Sequence, residues 1–497
     1  MTHMISPTLS EYKKHFKAGK LAAIFETFPA DLETPVSAFL KIAKHEKHAF
    51  LLESAIEEQK IGRYSFLGIQ PEAILESREG KITLTEQGKK TTLTVSDPLT
   101  FIEEDIRKRH VANETLFPAF PGGYIGYFSY ENVRDFEKVS LKNTHPYKFP
   151  DSVFFRTNEF IAFDHFRKTL SIVVLISPES FSSAEKAYAH ASKRVRFYEN
   201  RLKKPLKILN KPRPTKHLPI RSNFTPTQFK QIVNRAKNYI RSGDIIQVVL
   251  SQRFETNYHG DDFQIYRSLR SINPSPYMFY FRSGETRLVG SSPEVLVRKT
   301  GRIAELRPIA GTRPRGKNSA EDLKFEKQLL SSKKELAEHV MLVDLGRNDL
   351  GRVSEYDSVK VQNYSHVERY SHVMHLVSDV SSRLKKNKSA ADLLRAVFPA
   401  GTVSGAPKIR AMQIIDELEK DGRGPYAGCL GYFGLNGDMD MCITIRTLML
   451  QGNHLCLQAG AGIVKDSVPE KEFQETVNKA RAVIKAIEQR DFFSCCF

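Results

Sequence analysis

Two pairs of glutamates are the first candidates for chemistry in this chain: Glu335 with Glu338, and Glu472 with Glu475. Three-residue spacing puts both members of a pair on one side of a helix. Taken singly, such a pair reads as a solvated face, and Lys333 and Lys334 beside Glu335 favour that reading. Two such helices facing each other change it. Four carboxylates would offer oxygen ligands alone, the set a hard cation takes. They would also leave excess negative charge, so an acidic substrate would bind through the metal and through cations elsewhere.

Spacing also predicts the elements that must carry these pairs. Glu305 to Asp349 opens with a turn-rich loop holding Pro308, Gly311, Thr312, Pro314 and Gly316. Ser319 with Asp322 has the pattern of a capping box and predicts a helix start there. Leu329, Leu330, Leu336, Ala337, Val340 and Met341 recur at a roughly helical period and predict its buried face. Arg347, Asn348 and Asp349 close the stretch and are too polar for plain core. For the second pair, Pro469 stands where a first helical residue belongs, after Asp466 and Ser467. Phe473, Val477, Ala480, Ile484 and Ile487 then predict an amphipathic helix, with Glu472 and Glu475 on its flank and Lys479 one turn beyond.

The 497-residue length predicts two to four domains. A chain 40% hydrophobic and 27% charged can bury a large core. The five cysteines have no zinc-like spacing, and a disulfide framework does not suit so long a chain. Cys495 and Cys496 read as part of a loose tail. The N-terminus lacks the apolar core of a secretory signal, and no apolar run is long enough to span a membrane, so a cytoplasmic protein is expected. The net charge of +18 admits nucleic-acid binding. Its basic residues are dispersed, however, and no nucleic-acid motif is visible, so attraction of small anions is the milder expectation.

In chain order, residues 49–54, 63–68 and 170–175 read as strands, and Pro121 to Tyr127 as a glycine-rich turn into a strand. Lys203 to Lys216 is basic and proline-rich and reads as a connection. Thr225, Pro226 and Gln228 start a helix that Ser242 and Gly243 stop, and a strand is expected from Ile245 to Val249. Irregularly mixed hairpins and helices favour an α+β fold with large antiparallel sheets. Glycine-rich turns are expected at Gly401–Pro407 and at Ala459–Gly462, either of which could offer backbone N–H groups to a carboxylate. Neither is a nucleotide-binding motif.

These pieces together resemble the chorismate-utilising enzymes, and among them the synthase subunits of anthranilate synthases. The carrying motifs are Gly290 to Glu294, Pro308 to Arg313, the run from Ala337 to Asp349, Gly401 to Pro407, Gly460 to Gly462, and Glu472 to Lys479. The resemblance implies two large, roughly orthogonal antiparallel sheets flanked by helices. It implies an N-terminal region over 1–200 holding half of a regulatory tryptophan site, a connection over 201–224, a catalytic region over 225–490 and a tail over 491–497. It implies that Glu338 and Glu475 hold Mg²⁺, with Glu335 and Glu472 close by. Gly311, Thr312, Tyr426, Arg446, Gly460, Ala461, Gly462 and Lys479 would line the site for chorismate, a dicarboxylate with an enolpyruvyl ether.

The implied reaction adds ammonia at ring C2 while the C4 hydroxyl leaves, and then loses pyruvate. Hydroxide leaves only with a proton, and Glu335, among three other carboxylates, is the expected acid. His375 and Thr402 match the positions that serve pyruvate loss. Gln247 and Ala310 stand where sister enzymes adding water, or attaching through a lysine, carry lysines, which suits ammonia as the nucleophile. Ser54 with Pro276, Tyr277 and Met278 matches the tryptophan inhibitor pattern. No glutaminase signature remains in the chain, so a separate glutamine amidotransferase subunit would supply ammonia in a hetero-oligomer. An aminodeoxychorismate synthase of folate synthesis is the alternative enzyme, and a basic nucleic-acid-binding protein the alternative outside enzymology.

Overall fold

The computed structural model describes residues 5–54, 62–109, 111–112, 120–206, 218–370 and 373–489. Most of the basic connection and the cysteine-bearing tail lie outside these residues. Two twelve-stranded sheets and twelve α-helices make up the described chain. The strand ladders within both sheets are antiparallel, as expected for this α+β chain.

Both sheets mix strands from the two ends of the sequence. In the first, His48–Glu53 pairs with Tyr277–Ser283, so Met278 lies opposite Glu53 and Phe279 opposite Leu52. In the second, Gly123–Phe128 pairs with Cys429–Gly434. The first sheet is buried on both faces. Along Thr169–Ile176, Val173 and Leu175 join the core between the sheets, while Ile172 and Val174 join the core under the helices. A sheet covered twice needs apolar residues at successive positions, which is why this strand reads as an unbroken Ile-Val-Val run. Phe281 of the first sheet stacks on Phe155 of the second with centroids 4.5 Å apart, tying the layers together.

Local signals set several helices. Thr225 accepts from the Gln228 N–H and Gln228 reciprocates, with Pro226 in the first turn, as its spacing predicts. The helix expected from Ser319 differs. Its N-cap is Asn318, which accepts from the Glu321 N–H, because the Asn oxygen is placed one residue earlier. The chain then breaks into two helices, Ser319–Ser331 and Lys333–Gly351. Ser332 caps the second by accepting from the Glu335 N–H at 3.4 Å. The break turns the predicted face: Leu329 is buried, but Leu330 and Val340 are exposed. In Pro469–Glu488 the buried stripe is Glu472, Thr476, Ala480, Val483, Ala486 and Ile487, which draws Glu472 off the flank and into the protein.

Candidate functional site

Gly311 begins the site. It forms a β-bulge between Ala310 and Thr312, where the ladder with Val373–Arg383 shifts register. Its φ of +60° favours glycine, and an added Cβ would lie 3.0 Å from the Glu335 carboxylate. The bulge leaves the Gly311 carbonyl to accept from His375 Nδ1 at 2.9 Å, with the Thr312 hydroxyl 3.1 Å from the same nitrogen. A carbonyl only accepts, so Nδ1 carries the hydrogen and Nε2 of the neutral ring keeps its lone pair. Burial keeps His375 below the usual histidine range. Ala310 is buried one residue before the bulge.

The stretch expected as a turn at Ala459–Gly462 is the end of an inner strand, His454–Ile463, paired along Gln247–Asn257. Its glycines serve close approach. A Cβ on Gly460 would sit 2.8 Å from the Tyr426 hydroxyl, and one on Gly462 would sit 2.5 Å from Gln247 Nε2. Ala461 between them is fully buried in the core on the other face. The Gln247 strand begins at that residue rather than at Ile245. Gln247 donates to Glu338 at 3.4 Å, and its Oε1 is buried without a partner. Burial raises the buried Tyr426 hydroxyl to about 12, so it is a neutral donor. Lys479 donates to the Gly460 carbonyl at 3.0 Å and pairs with Glu475 at 2.7 Å.

The two glutamate pairs are brought into one electrostatic neighbourhood. Burial raises Glu338, and the charges of Glu335 and Glu475 raise it further. Burial raises Glu472 likewise, with Glu475 adding to it. Lys334 and Lys479 act against the shift at both residues. Glu335 also meets Arg313 at 3.3 Å. Among the described residues no three such side chains converge closely enough to hold a metal ion as they stand. The donor set nevertheless fits a hard divalent cation. It is all carboxylate, and it carries mutual repulsion that a cation would relieve.

Glu294 appears in the sequence only as the end of a motif, with no role assigned to it. It lies at the turn between Thr286–Ser292 and Val295–Thr300 and is buried. Burial pushes its carboxyl up to about 7, against the pull of the Thr402 hydroxyl, Arg446 and Lys479. Thr402 Oγ1 is itself buried without a well-formed hydrogen bond. Arg446 is held at a left-handed φ of +49°, a conformation that costs about 1–3 kcal/mol in a non-glycine residue. Burial lowers it, and Glu294 is the charge that opposes the shift. A glutamate placed directly after proline at the start of an apolar strand was the available signal.

A second cavity, of about 910 Å³, lies on the other side of that turn. Leu52, Glu53, Ser54, Pro276, Tyr277 and Met278 line part of it, so the two segments expected to form an inhibitor site are adjacent across one strand pair. Pro293 and Val295 line the same cavity, while Glu294 between them borders a small space shared with Gly401 and Thr402.

Residues 47–485 match the family described as chorismate binding enzyme. The chain belongs to the chorismate-binding enzymes. Anthranilate synthase component 1 of Aquifex aeolicus is 46% identical over 486 residues, covering 97% of each chain. The protein of the same name from Acetivibrio thermocellus is 43% identical, covering 98% of this chain and 99% of its own. The crystal structure of anthranilate synthase component I from Streptococcus pneumoniae superposes with a TM-score of 0.75 at 36% identity, covering 92% of this chain and 98% of that one. The menaquinone-specific isochorismate synthase of Escherichia coli shares the fold at a TM-score of 0.72 and 19% identity. The two-sheet architecture is thus that of chorismate-binding enzymes, here joined by a bulge, a glycine strand and a buried turn that converge on one site.

Proposed function

We propose that this chain is the synthase component of an anthranilate synthase, converting chorismate and ammonia to anthranilate and pyruvate in the cytoplasm. The carrying observation is Glu294, a buried carboxyl raised to about 7 beside Arg446 and Thr402, which can be protonated at neutral pH. That assignment moves the acid from Glu335, whose carboxylate faces Arg313, to Glu294. Near-full-length relatives named anthranilate synthase component 1 support the same reaction.

The arrangement supports a division of labour. Arg446, with no ion pair among the described residues, suits a bidentate hold on one substrate carboxylate. Glu338 and Glu475, with Glu335 and Glu472 near, would hold Mg²⁺, which neutralises the other carboxylate when bound. Gly460 and Gly462 keep that wall thin enough for a ring. The unpartnered Gln247 Oε1 can accept an N–H from ammonia, whereas a lysine there would compete as a cation. As nitrogen bonds to C2, both conjugated ring double bonds shift toward C4, the C4–O bond breaks, Glu294 gives the proton that lets water leave, and the ammonium formed at C2 gives one proton up to solvent. His375 Nε2 then suits removal of the C2 proton, with cleavage of the enolpyruvyl ether bond and protonation of the methylene to release pyruvate. Thr402 lies beside that acid to orient the leaving oxygen.

Two further readings go with this one. The relatives' designation as component 1 supports a second component, a glutamine amidotransferase that delivers ammonia. The cavity at Ser54, Pro276, Tyr277 and Met278 would take tryptophan as inhibitor. Its wall, Pro293 and Val295, flanks Glu294, so a ligand that favours one setting of this turn would shift the acid with it. Among the described residues no helix is long and apolar enough to cross a membrane.

The test is to incubate the purified single chain with chorismate, Mg²⁺ and an ammonium salt, and to identify the products. Fluorescent anthranilate with equimolar pyruvate is expected. Aminodeoxychorismate, isochorismate or salicylate as the main product would overturn the assignment.

A further inference from the structure

Arg423 and Glu419 form an ion pair that the reaction above does not use. Their side chains are 1% and 3% exposed. Arg423 donates from Nη2 and Nε to the two Glu419 oxygens at 2.6 and 2.9 Å. Its other contacts go to backbone in two different segments. Nη1 donates to the Val403 carbonyl at 2.6 Å and Nη2 to the Val249 carbonyl at 2.7 Å. Glu419 in turn accepts from the Ser251 N–H and hydroxyl, each at 2.8 Å.

Each anchored segment carries part of the site. Val403 follows Thr402. Val249 lies opposite Gly462 in the strand ladder, and its N–H donates to the Ser404 carbonyl at 2.9 Å. Arg423 itself opens the turn to Tyr426, with its guanidinium 4.7 Å from the Tyr130 ring centroid and 5.7 Å from that of Tyr426. One buried cation therefore joins the Thr402 loop, the strand behind Gly462 and the Tyr426 turn.

A buried ion pair is a costly way to fill space, since apolar side chains of similar volume often serve stability as well. What they cannot supply is a rigid fork of five N–H donors that fixes separate carbonyls relative to one another. We propose that Arg423, held by Glu419, is a positioning residue that sets Thr402, and through it the leaving-oxygen geometry at Glu294, in register with the Gly462 and Tyr426 walls. This rests on the reaction assigned above.

The test is one full-length chain carrying Arg423→Met and Glu419→Leu together, which removes both charges at once. Loss of the bonds to the Val403 and Val249 carbonyls and to Ser251 should lower the thermal midpoint, so kcat is compared at a temperature where both chains are folded. The kcat should fall about a hundredfold, the scale of a small misplacement, with KM for chorismate little changed. Adding Thr402→Val should then cost little more, because both changes act on one group. Wild-type kcat in the double variant, or a full further loss on adding Thr402→Val, would overturn the role. If the double variant does not fold, Arg423→Lys, which keeps the charge and loses the fork, goes through the same cycle with the same two overturning results. No anthranilate from the wild-type chain would overturn the reaction and this role together. Wild-type turnover with an unimpaired variant would overturn the role alone.

Discussion

In the cavity between the sheets, charges meet partners. Arg298 pairs with Asp440 at 3.0 Å, Arg307 with Asp379 at 2.8 Å, Arg63 with Asp164 at 2.8 Å, and Glu53 with the Tyr266 hydroxyl and Arg270. On the far side of the Pro293–Val295 turn the pattern reverses. Glu294 is buried and raised to about 7, Glu338 is raised by burial and by neighbouring carboxylates, Arg446 is lowered by burial, and Gln247 Oε1 and Thr402 Oγ1 lack partners. Paired charge fixes the shape of a pocket that only has to bind. Uncompensated charge marks a candidate functional site, and on the proposed reaction its missing partners would arrive with substrate and metal.

That contrast is sharpened by changes that should act on one side only. The largest effect is expected from Glu338→Ala or Glu475→Ala, or from EDTA: no measurable turnover in the presence of a folded chain, checked by circular dichroism. Full activity in any of the three would remove the metal from the account. Glu294→Gln comes next. Losing the acid should lower kcat about 10²–10⁴-fold while tryptophan binding, measured by calorimetry, stays close to wild type.

The converse change is Ser54→Ala. It should raise the tryptophan concentration for half-inhibition about tenfold or more, the scale of one lost hydrogen bond to a charged group, and leave kcat alone. A drop in kcat, or unchanged inhibition, would break the separation between the two pockets. The smallest effect is on stability. Burial raises Glu294 in the folded chain from the ordinary 4.5 to about 7, so the folded state binds the extra proton between these limits. Stability then falls as pH rises through that window. Glutamine stays neutral, so Glu294→Gln should stabilise the chain above pH 7 by at most about 3 kcal/mol and not at all below the unfolded value. Equal chemical denaturation curves at high pH would contradict this.

What the sequence made legible was local. Thr225, Pro226 and Gln228 specify their helix start within four residues, and the structure repeats it. Residues 170–175 read as a strand from their Ile-Val-Val content, and the structure buries that strand on both faces. The misreadings have non-local causes. Gly460 and Gly462 look like turn residues until Tyr426, from a turn, and Gln247, from the neighbouring strand, come against them. Ser319 and Asp322 have the spacing of a capping box, yet Asn318 caps the helix one residue earlier by accepting from the Glu321 N–H. Glu472 was placed on a flank by helical period, but the contacts of its helix rotate it inward. Glu294 is named in the sequence only as the end of a motif, because its raised pKa comes from burial, against the pull of Thr402 and Arg446, and burial is set by the fold. The motif order carried the family; the burial of Glu294 is a property of the fold.

The central claim is that the carboxyl of Glu294 is protonated near neutrality because it is buried without full compensation. Difference infrared spectroscopy of wild type against Glu294→Gln, recorded across pH, reads that carboxyl directly. The account predicts a protonated carboxyl band that disappears with a midpoint near 7. A midpoint near the ordinary value of 4.5 would contradict it.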